Sequence, residues 1–355
     1  MRIHAVGLPH SAVDRFRNPD CAFTQRLLRW TQMMTARDHE VFLYHGVGGP
    51  VPEATRSFEC LTEDEFARWF DYGKTHGLDT SVRGVPTFNR RVIKAMREQI
   101  QPEDFILLTW GRPQLPVAMA FPNNISIEGA IGYGDRVLNY AVFDTYTWMH
   151  YMYGKQGLDQ GRFFDTAILG PFDPDQFLPA APIGHFDGTP YLLHIARLTP
   201  LKGVQIAQEL AEAVEMNLVV CGGGDESLLW SDRVRYMGVV DHKERARLLQ
   251  GATALIAPTQ YIEPGGQVVV EAAMAGVPAI TTDFGCFLET NQRGWRAHIM
   301  SEFIVAAKMA STWDAEDRRQ LQLWARDEYG YDWVGQQWEN YLIRLHRLYG
   351  PGFYG

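Results

Sequence analysis

Short apolar runs bounded by Gly, Pro and Asp alternate along the chain with longer segments whose apolar residues recur every three to four positions. The first pattern predicts buried strands and the second amphipathic helices. Residues 2–7 (RIHAVG) and 39–45 (HEVFLYH) predict strands, joined by a loop over 8–20 and a helix over about 22–36. Strand, helix, strand at this spacing is a right-handed start to a parallel sheet. A polar, proline-containing connection over 47–62 leads to helices over 63–76 and 88–100, the second carrying Arg90, Arg91, Lys94 and Arg97. Strands over 105–109, 124–127 and 140–143, an aromatic helix over 145–153 and an apolar step at 167–169 complete a first domain.

After a stretch of small residues, Pro and Gly over 180–188, the alternation resumes. It predicts strands over 191–195, 217–221, 236–240, 253–257 and 279–282, with 283–285 completing the sheet, and helices over 204–214, 241–250 and 268–274. Helical stretches over 301–313, 314–327 and about 333–348 end the chain. The expected class is α/β, with two Rossmann-like domains whose parallel sheets face a cleft. The boundaries are 1–170 for the first domain, 171–188 for a linker and 189–330 for the second.

Chemistry gathers at strand exits in the second half. Arg197 and Lys202 lie between a strand and a helix, where a guanidinium fork and an ammonium suit a diphosphate. Glu263, Pro264, Gly265 and Gly266 precede the helix that begins near Gln267 and Val268, and Glu271 lies about one turn inside it. Adjacent glycines ahead of a helix let backbone N–H groups approach an anion, while two carboxylates suit sugar or ribose hydroxyls. Gly222 and Gly223 open a tight turn after the strand over 217–221. In the first half, Glu128 is expected at a strand's carboxyl end, and His10 and His150 are weaker candidates for the acceptor side.

The stretches Ala196-Arg197-Leu198-Thr199-Pro200-Leu201-Lys202-Gly203 and Glu263-Pro264-Gly265-Gly266-Gln267-Val268-Val269-Val270-Glu271 resemble those of retaining glycosyltransferases of the GT-B fold, family 4. That family has glycine where Ala196 stands and usually an aromatic where Gly265 stands. A histidine is common near the position of Glu128. The resemblance implies a final helix, 331–355, packing back on the first domain. It also implies transfer of a sugar, expected to be a hexose, from a UDP-sugar or GDP-sugar to a hydroxyl acceptor. In that reading Arg197, Lys202 and the backbone at 265–268 stabilise the departing diphosphate without a metal. Glu271 accepts ribose hydroxyls and Glu263 sugar hydroxyls, and same-face attack retains the anomeric configuration. No resident cofactor is expected, the nucleotide sugar being a co-substrate, and the acceptor is a carbohydrate, a lipid-linked compound or a small molecule.

Composition narrows the setting. A length of 355 residues with 46% apolar content allows two separate cores. The formal charge of −9 disfavours nucleic acid as a partner, which weighs against a viral-type transferase acting on a modified base. A catalytically silent nucleotide-sugar-binding subunit is a further alternative. Cys21, Cys60, Cys221 and Cys286 are scattered with no metal-ligand spacing, so reduced structural thiols and no metal site are expected. With no apolar run long enough to span a bilayer, a cytoplasmic protein is expected, peripheral membrane association being left open.

Overall fold

The computed structural model describes residues 1–13, 21–70, 79–177 and 189–348. Residues 14–20 of the first loop, the end of the helix expected over 63–76, and 178–188 of the linker lie outside the described residues. The chain divides into two compact units, Met1–Pro171 with Tyr331–Gly355, and Phe172–Gly330.

Unit 1 begins β1 (Arg2–Val6), α1 (Ala22–Ala36), β2 (Glu40–His45), β3 (Arg56–Glu59), α2 (Glu63–Trp69) and α3 (Gly84–Arg97). It continues β4 (Phe105–Leu108), α4 (Leu115–Met119), β5 (Ile125–Ile131), β6 (Tyr140–Phe143), α5 (Tyr146–Lys155) and β7 (Thr166–Ala167). The seven strands form one sheet in the order β3-β2-β1-β4-β5-β6-β7, and every pairing is parallel. Local chemistry sets the helix ends. Thr62 and Glu65 form a reciprocal capping box at α2, and Thr145 caps α5 by accepting from the Trp148 N–H. The apolar central strands are buried on both faces, as a parallel sheet requires.

Unit 2 runs β8 (Tyr191–Ile195), α6 (Val204–Ala213), β9 (Asn217–Cys221), β10 (Val234–Tyr236), α7 (His242–Gly251), β11 (Ala254–Ala257), α8 (Gln267–Met274) and β12 (Ala279–Thr281). Then come α9 (Phe287–Thr290), β13 (Trp295–Arg296), α10 (Met300–Ala310) and α11 (Ala315–Tyr329). Its sheet order is β10-β9-β8-β11-β12-β13, again all parallel. The last helix, α12 (Tyr331–Leu348), belongs to unit 1. Its buried Trp338, Leu342 and Leu345 join the cluster of Trp30, Met33 and Met34 from α1, with the two indoles edge to face at 5.5 Å. Arg37 and Glu339 pair at 2.7 Å beside that seam.

The structure corrects several expectations. The connection over 47–62 contains β3, a short edge strand with half-exposed side chains. The second sheet does not end at 283–285 but gains β13 beyond α9. The strand expected over 236–240 lies earlier, at β10, where Val234 pairs with Leu218. Phe172, expected in the linker, is fully buried in unit 2, where its N–H donates to the Tyr329 carbonyl at 3.1 Å. All four cysteines are free and buried, and burial pushes the Cys60 and Cys221 thiols up to about 12.

Candidate active site

The strand order of unit 2 reverses between β8 and β11, so the loops leaving their carboxyl ends diverge and open a crevice. That topological switch point is where open α/β sheets bind ligands. The loops are stitched by the Gln260 N–H, which donates to the Leu201 carbonyl at 2.8 Å. Lys202 closes a single 3-10 turn, Pro200–Lys202, just before α6.

Lys202 and Glu263 meet across this crevice, with Nζ 2.6 Å from Oε2 and both side chains largely buried. The Tyr261 hydroxyl donates to the same carboxylate oxygen at 2.6 Å, and the ammonium lies 4.9 Å from the centre of the Tyr261 ring. Burial and the neighbouring Glu263 carboxylate push the Tyr261 hydroxyl well above its ordinary range, so it remains a donor. Arg197 is exposed at the same turn, and its positive charge reaches Tyr261. The backbone of Glu263 is fixed from β12's exit. Gly285 bridges to it at a φ of 77°, where a Cβ would stand 2.4 Å from the Glu263 N and O, and the Cys286 N–H donates to the Glu263 carbonyl at 2.8 Å. Only glycine fits there.

Gly265 and Gly266 are buried, and Gly266 is the left-handed N-cap of α8 with no side chain capping the helix. Gln267 and Val268, half-buried, begin the helix, so its positive dipole end lies three residues beyond Glu263. Glu271 is nearly buried and ion-paired with Arg245 of α7 at 3.4 Å. The two carboxylates therefore have separate cations. After β9, Gly222 adopts a φ of 130°, and a Cβ would stand 1.9 Å from the Ala196 carbonyl oxygen, so glycine brings the β8 and β9 exits together. The Gly223 carbonyl accepts the Leu198 N–H at 2.9 Å. His194 on β8 is buried with Nδ1 2.8 Å from the Ile256 carbonyl oxygen. Burial, with a smaller contribution from the Lys202 charge, lowers its pKa to about 4, so it is neutral beneath the cationic turn.

The unit 1 candidates are placed differently. Glu128 is not at the end of its strand but in the middle of β5, fully buried. It accepts from the Tyr133 hydroxyl at 2.7 Å and from the Val137 and Leu138 N–H groups at 2.8 and 3.0 Å. That is a structurally satisfied carboxylate. His10 is buried against Trp110, ring centres 4.7 Å apart, and His150 is exposed on α5 between Tyr146 and Tyr153. The basic helix face is partly structural, since Arg91 pairs with Glu65 at 2.7 Å. Among the described residues no group of three or more His, Cys, Asp or Glu could hold a metal ion, and no helix is long and apolar enough to cross a membrane.

Sequence reasoning missed Tyr261, Arg245 and Gly285. Only Gly285, a glycine at a strand exit, carried a local signal; the other two are defined by partners distant in sequence.

Residues 180–308 match the family model of the glycosyl transferases group 1. A 2-deoxystreptamine N-acetyl-D-glucosaminyltransferase of Niallia circulans is 30% identical over 112 residues, 28% of this chain and 28% of that protein. A phosphatidyl-myo-inositol mannosyltransferase of Mycobacterium leprae is 29% identical over 112 residues, 28% of this chain and 30% of that protein. The matched stretch thus spans less than a third of either relative. Over the whole fold, AviGT4, a glycosyltransferase involved in avilamycin A biosynthesis, superposes with a TM-score of 0.71 at 18% identity, covering 98% of both chains. HepE of Anabaena, solved with UDP and glucose, gives 0.68 at 15% identity, covering 97% of this chain and 100% of that one. These likenesses establish two parallel-sheet Rossmann-like units of the GT-B fold.

Proposed function

We propose that this chain, which carries a glycosyl transferases group 1 domain over residues 180–308 and has the GT-B fold, transfers a hexose from a nucleotide-diphosphate sugar to a hydroxyl acceptor with retention of anomeric configuration. The observation that carries the reading is the Lys202–Glu263 pair at the switch point of unit 2, with Arg197 on the same turn and the α8 N-terminus three residues on.

As the glycosidic bond breaks, negative charge accumulates on the diphosphate. Lys202, Arg197 and the N–H groups at the start of α8 then bind it more tightly than in the ground state, which is what lowers the barrier. These groups supply the positive charge that a divalent metal would otherwise bring. With Lys202 drawn to phosphate, Glu263 keeps the Tyr261 hydroxyl and offers its remaining acceptor capacity to sugar hydroxyls. Glu271, held by Arg245, accepts from the ribose. The acceptor attacks on the face the diphosphate leaves, and a departing phosphate oxygen takes its proton, so no protein nucleophile is required. The mechanism is that of family 4, and the reaction is assigned to the cytoplasm.

The test is incubation with UDP-, GDP-, ADP- and TDP-glucose in the presence of EDTA, following the anomeric proton of the first sugar released by NMR. Early release of the α-anomer supports retention without a metal. Early release of the β-anomer, or a requirement for added Mg²⁺, contradicts it.

A further inference from the structure

The donor reading gives Arg245 of α7 no task beyond holding Glu271, yet its charge is not used up there. The closest approach is from Nε to Glu271 Oε2 at 3.4 Å, and the Arg245 side chain stays 25% exposed while that of Glu271 is 6% exposed. The acidic residues beside it in sequence do not compete. Glu244 is engaged by Arg247 at 2.6 Å, and Asp241 caps α7 by accepting the Glu244 N–H at 2.9 Å. Among the described residues no other group pairs with the Arg245 guanidinium. Burial and the Glu244 carboxylate raise the Cys221 thiol and the Arg245 charge opposes them, so the guanidinium lies near the end of β9, where the Gly222–Gly223 turn begins.

What stands next to a ribose 2′-hydroxyl is fixed by the covalent structure of a nucleotide. With the base anti, it is the edge that a minor groove displays together with the 2′-hydroxyls. On that edge uracil and adenine present an acceptor alone, O2 or N3, whereas guanine adds its 2-amino donor. Arginine carries five N–H donors and no acceptor. Against uracil or adenine it gains a charge-assisted hydrogen bond. Against guanine two donors face each other, and one is stripped of water without a replacement.

We propose that Arg245 is a specificity-determining residue: it selects a donor whose base carries only acceptors on its sugar edge, such as uracil or adenine, and excludes guanine. The inference rests on the transferase reading above, with Glu271 as the ribose acceptor. Glu271 takes the 2′-hydroxyl while the neighbouring guanidinium donates to O2 or N3, so one ion pair reads both the sugar and the base. The donor is thereby narrowed from any nucleotide-diphosphate sugar to one without a guanine base.

The experiment is isothermal titration calorimetry of the full chain with UDP, ADP, IDP and GDP. IDP and GDP differ only in the 2-amino group, so their ratio isolates the contact. UDP or ADP is expected to bind, and GDP to bind about tenfold more weakly than IDP, the cost of one donor left unpaired. Arg245→Gln keeps an amide N–H for Glu271 and adds a carbonyl oxygen that accepts from the amino group, so it should bring IDP and GDP within about twofold of each other. A merely structural role would weaken both ligands alike and leave their ratio unchanged. GDP binding as tightly as IDP in the wild type, or a tenfold ratio that survives in the variant, overturns the inference, while binding of UDP or ADP in the same titrations leaves the transferase reading standing. The first comparison uses the wild type alone, so it decides the matter even for a variant that fails to fold. Silence of all four nucleotides would sink the transferase reading and this inference with it.

Discussion

Replacing Lys202 by Met removes one side of a 2.6 Å ion pair whose side chains are 18% and 14% exposed. In the nucleotide-free protein the loss is one of stability, because Glu263 is left largely buried with the Tyr261 hydroxyl in place of a cation. At an effective dielectric near 20 the gross attraction of a pair this close is about 6 kcal/mol, and desolvation and side-chain ordering offset most of it. A net coupling of about 1–2 kcal/mol follows. The assay is urea unfolding of the wild type, Lys202→Met, Glu263→Gln and the double variant, followed by tryptophan fluorescence. Each single change lowers stability by roughly that amount, and the double variant loses about as much as one of them. Donor hydrolysis by Lys202→Met falls about 100- to 1,000-fold, as for removal of one preorganised group facing developing charge. Stability losses that add to within about 0.3 kcal/mol would refute the reasoning, since an additive pair is not coupled.

Three further outcomes follow from particular contacts. Tyr261→Phe deletes only the hydroxyl that holds Glu263, so turnover should drop about tenfold while KM for the donor changes less than about twofold; steady-state kinetics on the hydrolysed donor separate the two. His45 and His194 are buried with pKa values lowered to about 4 from an ordinary 6.5. The unfolded chain therefore binds protons that the folded chain does not, so stability is full above pH 6.5 and falls as pH drops towards 4. Each histidine costs roughly 2 kcal/mol between pH 7 and 5, and His194→Gln should flatten that slope in urea titrations at the two pH values. Trp338→Ala empties the seam between α1 and α12 and should destabilise unit 1 by about 3–5 kcal/mol, read from its unfolding midpoint.

The elements most legible in the sequence are those with two-sided burial. The apolar runs of β6 and β9 and the amphipathic pattern of α1 coincide with the observed elements residue for residue, because nothing but the core determines them. The edge strands β3 (RSFE) and β13 (WR) were not legible, since an edge strand is held by backbone pairing and leaves its side chains half exposed. Glu128 was misplaced for a related reason. Its strand continues past it through Gly129 and Ala130, the latter at a φ of 58°, with a register shift that no periodicity announces. At the site, the charged groups Arg197, Lys202 and Glu263 were legible from their placement at strand exits, and Glu271 from its place about one turn inside the helix that follows. The pairing of Lys202 with Glu263 through Tyr261, and of Glu271 with Arg245, was not, because it joins residues 61 and 26 positions apart that only the sheet order brings together.

The most direct test of the central claim is the rate of nucleotide release from UDP-, GDP-, ADP- and TDP-glucose without an acceptor, for the wild type beside Lys202→Met. Slow hydrolysis of at least one donor, lost in the variant although the variant remains folded, is the predicted result. Equal release by both proteins would remove Lys202 from the leaving-group site, and silence across the donors, with no thermal shift from any nucleotide, would contradict the assignment of unit 2 as a nucleotide-sugar site.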